Sequence, residues 1–77
     1  MNMDFYKDYI RFGLNVAYYR KLSGITQEQL AEMIDADRTT IGKLETAAVG
    51  ASLDMVFSIA RALNVAPIKL FDFRDEV

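Results

Sequence analysis

The apolar residues of this 77-residue chain recur at spacings of three and four along nearly its whole length, and no stretch alternates with period two over the length of a strand. Three- and four-residue spacing lines apolar side chains along one face of a helix, so the pattern predicts an all-α fold. A single proline, Pro67, and four glycines punctuate it. Helix 1 is expected from about Asp4 to Leu22, with Phe5, Tyr9, Phe12, Val16 and Tyr19 on one stripe and Gly24 as its stop. Helix 2 is expected from Thr26 to Ile34, because Thr26 and Gln29 have the spacing of a capping box. Asp35-Ala36 is a tight connection in which Asp35 has to accept a turn geometry that can be left-handed. Helix 3 follows, with Asp37 as N-cap and its end near Glu45. Residues 46–51 read as a loop. Ser52 caps helix 4, which runs to about Leu63, with Asn64 as a left-handed stop. Pro67 opens a short helix 5 carrying Ile68, Leu70 and Phe71. The tail 74–77 is expected to fray.

The length allows one domain, spanning 1–77. A domain this small buries only about 60% of its unfolded surface, so its stability is marginal. There is no cysteine, so neither disulfides nor thiolate–metal bonds can reinforce it, and dimerisation is the remaining common device. Neither a signal sequence nor an apolar run long enough to span a bilayer is apparent, which predicts a cytoplasmic protein with no membrane partner.

Thr26–Ile34 and Asp37–Glu45 joined by a tight turn form a helix-turn-helix. On a helical wheel, Ile41 and Leu44 point toward the core. Thr39, Gly42, Lys43 and Thr46 point outward, with Arg38 at the edge. This outward face carries cations and hydroxyls, with no acid and no large apolar side chain. Gly42 is costly in mid-helix, by about 1 kcal/mol relative to alanine. Its use here is either close approach of backbone to a base edge or a tolerated surface defect. The charge balance runs the other way. The net charge is −2, and residues 26–46 hold two cations against five acids, whereas residues 1–21 hold four cations against two acids.

The run from Ile25 to Glu45, with Thr26-Gln27-Glu28-Gln29-Leu30-Ala31 followed by Ile41-Gly42-Lys43-Leu44-Glu45, resembles the Cro/C1-type (Xre) helix-turn-helix family. The resemblance extends through Ser52-Leu53 and Ala60, Leu63 and Val65, covering about residues 12–71. In length and layout the chain is also similar to compact stand-alone members such as restriction–modification controller proteins. The resemblance implies a five-helix, lambda-repressor-like domain and a sequence-specific, double-stranded DNA-binding transcriptional regulator. It further implies that Arg38, Thr39 and Lys43 read bases and that Gln27 and Thr40 hold the DNA backbone. Arginine can donate twice to guanine, and a threonine methyl can touch the thymine methyl. Thr26 is a cap first and a backbone contact second, and Thr46 lies where it could join the backbone contacts. The family's pairing of a late helix-1 arginine with the glutamate ending helix 3 falls here on Arg20 and Glu45, a structural ion pair. Two positions depart from the family: Asp35 replaces the usual turn glycine, and the loop 46–51 has no cation.

Helices 1 and 4 have apolar residues on more than one face. Tyr6, Ile10, Leu14 and Tyr18 lie off the first stripe of helix 1. In helix 4, Met55, Ile59 and Ala62 lie off the row Leu53, Val56, Ala60, Leu63. This surplus predicts a homodimer that uses helix 4 or helix 5 with the N-terminal extension of helix 1 and faces a palindromic operator. Catalysis has no support, because histidine and cysteine are absent, and neither a metal site, a cofactor nor a small-molecule ligand is expected. The acidic balance and the cation-free loop leave one alternative, a protein–protein interaction module such as an antitoxin or adaptor on the same fold.

Overall fold

The computed structural model describes residues 3–73, and those residues form helices only, with no strand. One 3-10 turn, Met3–Phe5, leads into α1, Tyr6–Leu22. The remaining helices are α2, Gln27–Met33; α3, Arg38–Glu45; α4, Leu53–Leu63; and α5, Pro67–Leu70. The α-helical geometry thus starts two residues later than the pattern suggests. Phe5 stands at the N-cap and offers no side-chain acceptor for the free N–H groups. The tail 74–77 lies outside the described residues.

The stops and starts follow local chemistry. Gly24 takes φ +77° just beyond α1. Thr26 Oγ1 accepts from the Gln29 N–H at 3.0 Å, and Gln29 Oε1 accepts from the Thr26 N–H at 2.8 Å, closing the capping box. Asp35 is left-handed, with φ 57°, and the Ala36 N–H returns to the Ala31 carbonyl at 2.8 Å. Asp37 does occupy the N-cap of α3, with extended backbone, but its side chain makes no capping hydrogen bond. Its exposed carboxylate stays in water. Ser52 caps α4 by accepting from the Met55 N–H, and Asn64 ends that helix at φ 58°.

The core gathers Phe12 and Val16 of α1, Leu30 of α2, Ile41 and Leu44 of α3, Val56, Ile59 and Leu63 of α4, and Leu70 of α5. Ile59 is fully buried, so it is not surplus surface, and Met55 is half-buried against the same cluster. α4 packs on α1, α2 and α5, and a helix covered from three sides buries a wide arc. The apolar residues that α4 leaves exposed are Leu53 and Phe57 instead. Ile68 of α5 is likewise exposed.

Two small residues set the spacing around α3. A Cβ at Gly13 would lie 2.6 Å from the carbonyl oxygens of Leu44 and Glu45. α1 therefore touches the end of α3 backbone to backbone. Just beyond α3, Ala47 is buried and left-handed, with φ 63°, and the Ala48 N–H bonds back to the Lys43 carbonyl at 2.8 Å. The pattern is a helix termination of the kind glycine usually supplies. The methyl group of Ala47 is buried.

Candidate nucleic-acid interface

α2 and α3 pack against each other through Leu30, Ala31, Ile41 and Leu44, all buried. Burying that side of α3 turns the opposite side outward. Arg38, Thr39, Lys43 and Thr46 are exposed, while Thr40 and Gly42 are partly covered. The outward row expected from the helical wheel is therefore assembled on one surface, with both cations in solvent.

Arg20 and Glu45 meet in the interior beneath this surface. Arg20 Nε donates to Glu45 Oε2 at 2.7 Å, and Nη2 donates to Oε1 at 3.2 Å. Nη1 donates to the Ile25 carbonyl at 2.9 Å. The close α1–α3 approach at Gly13, two turns before Arg20, brings the two charges within reach. A two-pronged, nearly buried pair of this kind adds little net stability compared with an apolar pair of the same shape, but it fixes geometry. It locks the end of α1, the α1–α2 loop and the end of α3 into one arrangement. It also neutralises Glu45, so one of the five acids of the 26–46 segment contributes little to the surface potential.

Gln27 joins this network, a link the sequence reading did not contain. Its Nε2 donates to Glu45 Oε1 at 3.0 Å. A primary amide has two N–H bonds, so one remains available beside the first turn of α2. Gln27 Oε1 also lies 3.7 Å from where a Cβ of residue 42 would stand. Gly42 is therefore not forced by its protein neighbours, since an alanine methyl would make an ordinary contact there. The Thr46 hydroxyl donates to the Gly42 carbonyl at 2.9 Å, with the Lys43 carbonyl at 3.3 Å. Its proton is thus engaged within α3, and contact with a phosphate would require it to turn away.

A shallow concavity of about 430 Å³ runs between the end of α1 and the start of α3, lined by Arg20, Lys21, Gly24, Ile25, Thr26, Gln27, Glu28 and Arg38. Lys21 was not among the residues singled out from the sequence. The fold places it on the same concavity as Arg38, seventeen positions away, which no local pattern reveals. Its charge and exposure suit a phosphate strand lying along the concavity. The exposed Glu28 lines this concavity, the exposed Asp35 lines a separate hollow with Ser58 and Arg61, and the loop after α3 supplies no positive side chain. Among the described residues no cluster of acidic side chains could hold a metal ion, and no helix is long and apolar enough to cross a membrane.

Comparison with known proteins agrees with this geometry. A family model described as helix-turn-helix matches residues 16–70. Control protein C.SmaI of Serratia marcescens is 39% identical over 56 residues, covering 73% of this chain and 67% of that protein. Control protein C.BamHI of Bacillus amyloliquefaciens is 40% identical over 63 residues, covering 80% of this chain and 78% of its own length. The crystal structure of the restriction–modification controller protein C.AhdI from Aeromonas hydrophila superimposes with a TM-score of 0.85 at 34% identity, over 88% of this chain and 99% of that one.

Proposed function

Because the chain belongs to the Cro/C1-type helix-turn-helix family of DNA-binding transcriptional regulators, we propose that it binds a palindromic operator as a homodimer and acts as a controller-type regulator. Arg38, Thr39 and Lys43 are the base-reading side chains, Gly42 lets the helix backbone approach, and Gln27, Thr26, Thr40 and Thr46 hold phosphates, with Lys21 joining them. The observation that carries this reading is the α3 surface itself, where two exposed cations and two hydroxyls stand over a core that buries every large apolar side chain of that helix.

The proposed dimer face lies on α4 and α5. Leu53 and Phe57 are one turn apart on α4, Ile68 lies on α5 with Phe71 at its C-cap, and all four are exposed. α4 and α5 pack together, and Leu53 and Phe71 line one shallow hollow. This replaces Met55 and Ile59 as the interface residues. Leu14 belongs to a different arc of α1. A homodimer reading a palindrome needs its two copies of α3 about 34 Å apart, one DNA turn, and this face is the one proposed to hold them so.

Selection of binding sites from a random duplex library at about 50 mM salt, where few phosphate cations still suffice, tests the proposal. The expected product is a palindrome with half-sites one turn apart. Arg38→Ala should then lose roughly 1–3 kcal/mol and relax the preference at one base pair, while Gln27→Ala should weaken all sequences alike. No enrichment by the folded protein would overturn the DNA-reading assignment and favour a protein-interaction role, with Asp35 and the cation-free loop as its cause.

A further inference from the structure

Asn15 stands in the middle of α1, although asparagine favours caps and turns over helix interiors. Here it caps a different helix. Its Nδ2 donates to the Leu70 carbonyl at 3.0 Å and to the Asp72 carbonyl at 3.3 Å, across 55 and 57 positions of sequence. Backbone N–H groups of Phe71, Asp72 and Phe73 meet the carbonyls of Ile68, Lys69 and Phe71. Asn15 thus supplies donors to the two carbonyls that alternate with these at the end of α5, where a helix lacks partners of its own. α5 has little else to hold it. It is a single turn of four residues, its N-cap Ala66 makes no side-chain bond, and Leu70 is its one buried residue. A helix of that length does not stand alone in water. Phe12, three residues before Asn15 and so on the same side of α1, stacks on Phe71 with ring centroids 5.4 Å apart. α1 therefore holds the ring of Phe71 through Phe12 and the backbone on both sides of Phe71 through Asn15. Ile68 and Phe71 nevertheless remain 71% and 44% exposed.

From this arrangement we infer that Asn15 is a positioning residue for self-association: it clamps the end of α5 to α1 and so fixes Ile68 and Phe71 for a second copy of the chain. The inference rests on the α4–α5 dimer face proposed above. Burial of Leu70 and the Phe12–Phe71 stack attract the turn without giving it a direction, whereas two hydrogen bonds from one amide fix its height and rotation against α1. A turn left loose would have to be ordered when the second copy binds, which weakens association without altering any interface contact. The linkage is reciprocal. If the clamp favours the dimer, the dimer tightens the clamp by the same factor. An aspartate at position 15 has the same shape but only accepts, so it would face two carbonyl oxygens with no proton to offer. None of the hydrogen bonds of Asn15 reaches α2 or α3, which leaves the DNA-reading surface outside its influence.

The test measures self-association of the full chain by sedimentation equilibrium, well below the melting midpoint of each variant, for the parent, Asn15→Ala, Asn15→Asp and Phe57→Asp. The expected result is a dimer dissociation constant raised at least tenfold by Asn15→Ala and further by Asn15→Asp. Amide shifts of the ¹⁵N-labelled variants should stay confined to the neighbours of Asn15 on α1 and to residues 66–73. A dissociation constant within twofold of the parent, whatever the loss of thermal stability, would overturn the inference, and so would shifts spreading through α2 and α3. Phe57→Asp reports separately on the face: if it leaves the dimer intact, or if the parent stays monomeric at millimolar concentration, the α4–α5 face is wrong and the role of Asn15 falls with it. Should the Asn15 variants not fold, hydrogen exchange on the parent chain decides. The side-chain amide of Asn15 should exchange more slowly as concentration carries the chain from monomer to dimer, and exchange independent of concentration would overturn the clamp.

Discussion

Gly13→Ala tests the account of how α3 is held. An added Cβ would sit 2.6 Å from two carbonyl oxygens, of Leu44 and Glu45, and 2.9 Å from the Glu45 carbonyl carbon, whereas ordinary contacts begin at 3.4 Å. α1 and the end of α3 would have to part by roughly 0.8 Å, since no side-chain rotation can move a backbone atom. Overpacking of this kind costs about 1–3 kcal/mol, and the upper end applies because the obstacle is helix backbone on both counts. The same displacement stretches the Arg20–Glu45 bonds. Alanine returns about 1 kcal/mol in helix propensity, which leaves a net loss of about 2 kcal/mol. For a domain of this size each kcal/mol lowers the melting temperature by about 4–8 °C, so a loss on the order of 10 °C is expected. Thermal and urea unfolding followed by circular dichroism would measure it, at one protein concentration because dimerisation would shift the midpoint. A Gly13→Ala protein within about 0.5 kcal/mol of the parent would refute the claim that backbone contact sets the α1–α3 distance.

The other glycine of interest should behave oppositely: Gly42→Ala fits its surroundings and should raise stability by about 1 kcal/mol. If the reading helix must approach DNA closely, the same change weakens operator binding, and unchanged affinity would remove Gly42 from the interface. Asp35→Gly relieves a left-handed aspartate worth about 1 kcal/mol and removes an exposed negative charge. It should raise both the melting temperature and DNA affinity, with the affinity gain fading as salt rises; a fall in stability would contradict the strained-turn account. Arg20→Met strands Glu45 in the interior and should cost roughly 3–5 kcal/mol, while Arg20→Met with Glu45→Leu recovers much of it. A single variant as stable as the double one would mean that the pair is not effectively buried.

The helix inventory was legible in the sequence because each boundary is a local event. Thr26 with Gln29, Gly24, Ser52, Asn64 and Pro67 act through hydrogen bonds and backbone torsions within a few residues of themselves. The outward face of α3 was legible for the same reason, since a single wheel separates Ile41 and Leu44 from Arg38 and Lys43. What stayed hidden depends on residues distant in the chain. Whether Ile59 or Phe57 is the spare apolar residue of α4 is decided by how many neighbours wrap that helix, which a wheel does not contain. Nothing in the local pattern around Gly13 shows that the end of α3 lies against it. Gln27 and Lys21 acquire their places only when α1, α2 and α3 converge on Glu45 and Arg38. The sequence by itself determined the elements and their chemistry, because those follow from short-range torsions and hydrogen bonds. Tertiary structure decided which apolar faces are left over and which side chains share a surface, because burial is a property of the whole packing and not of any one helix.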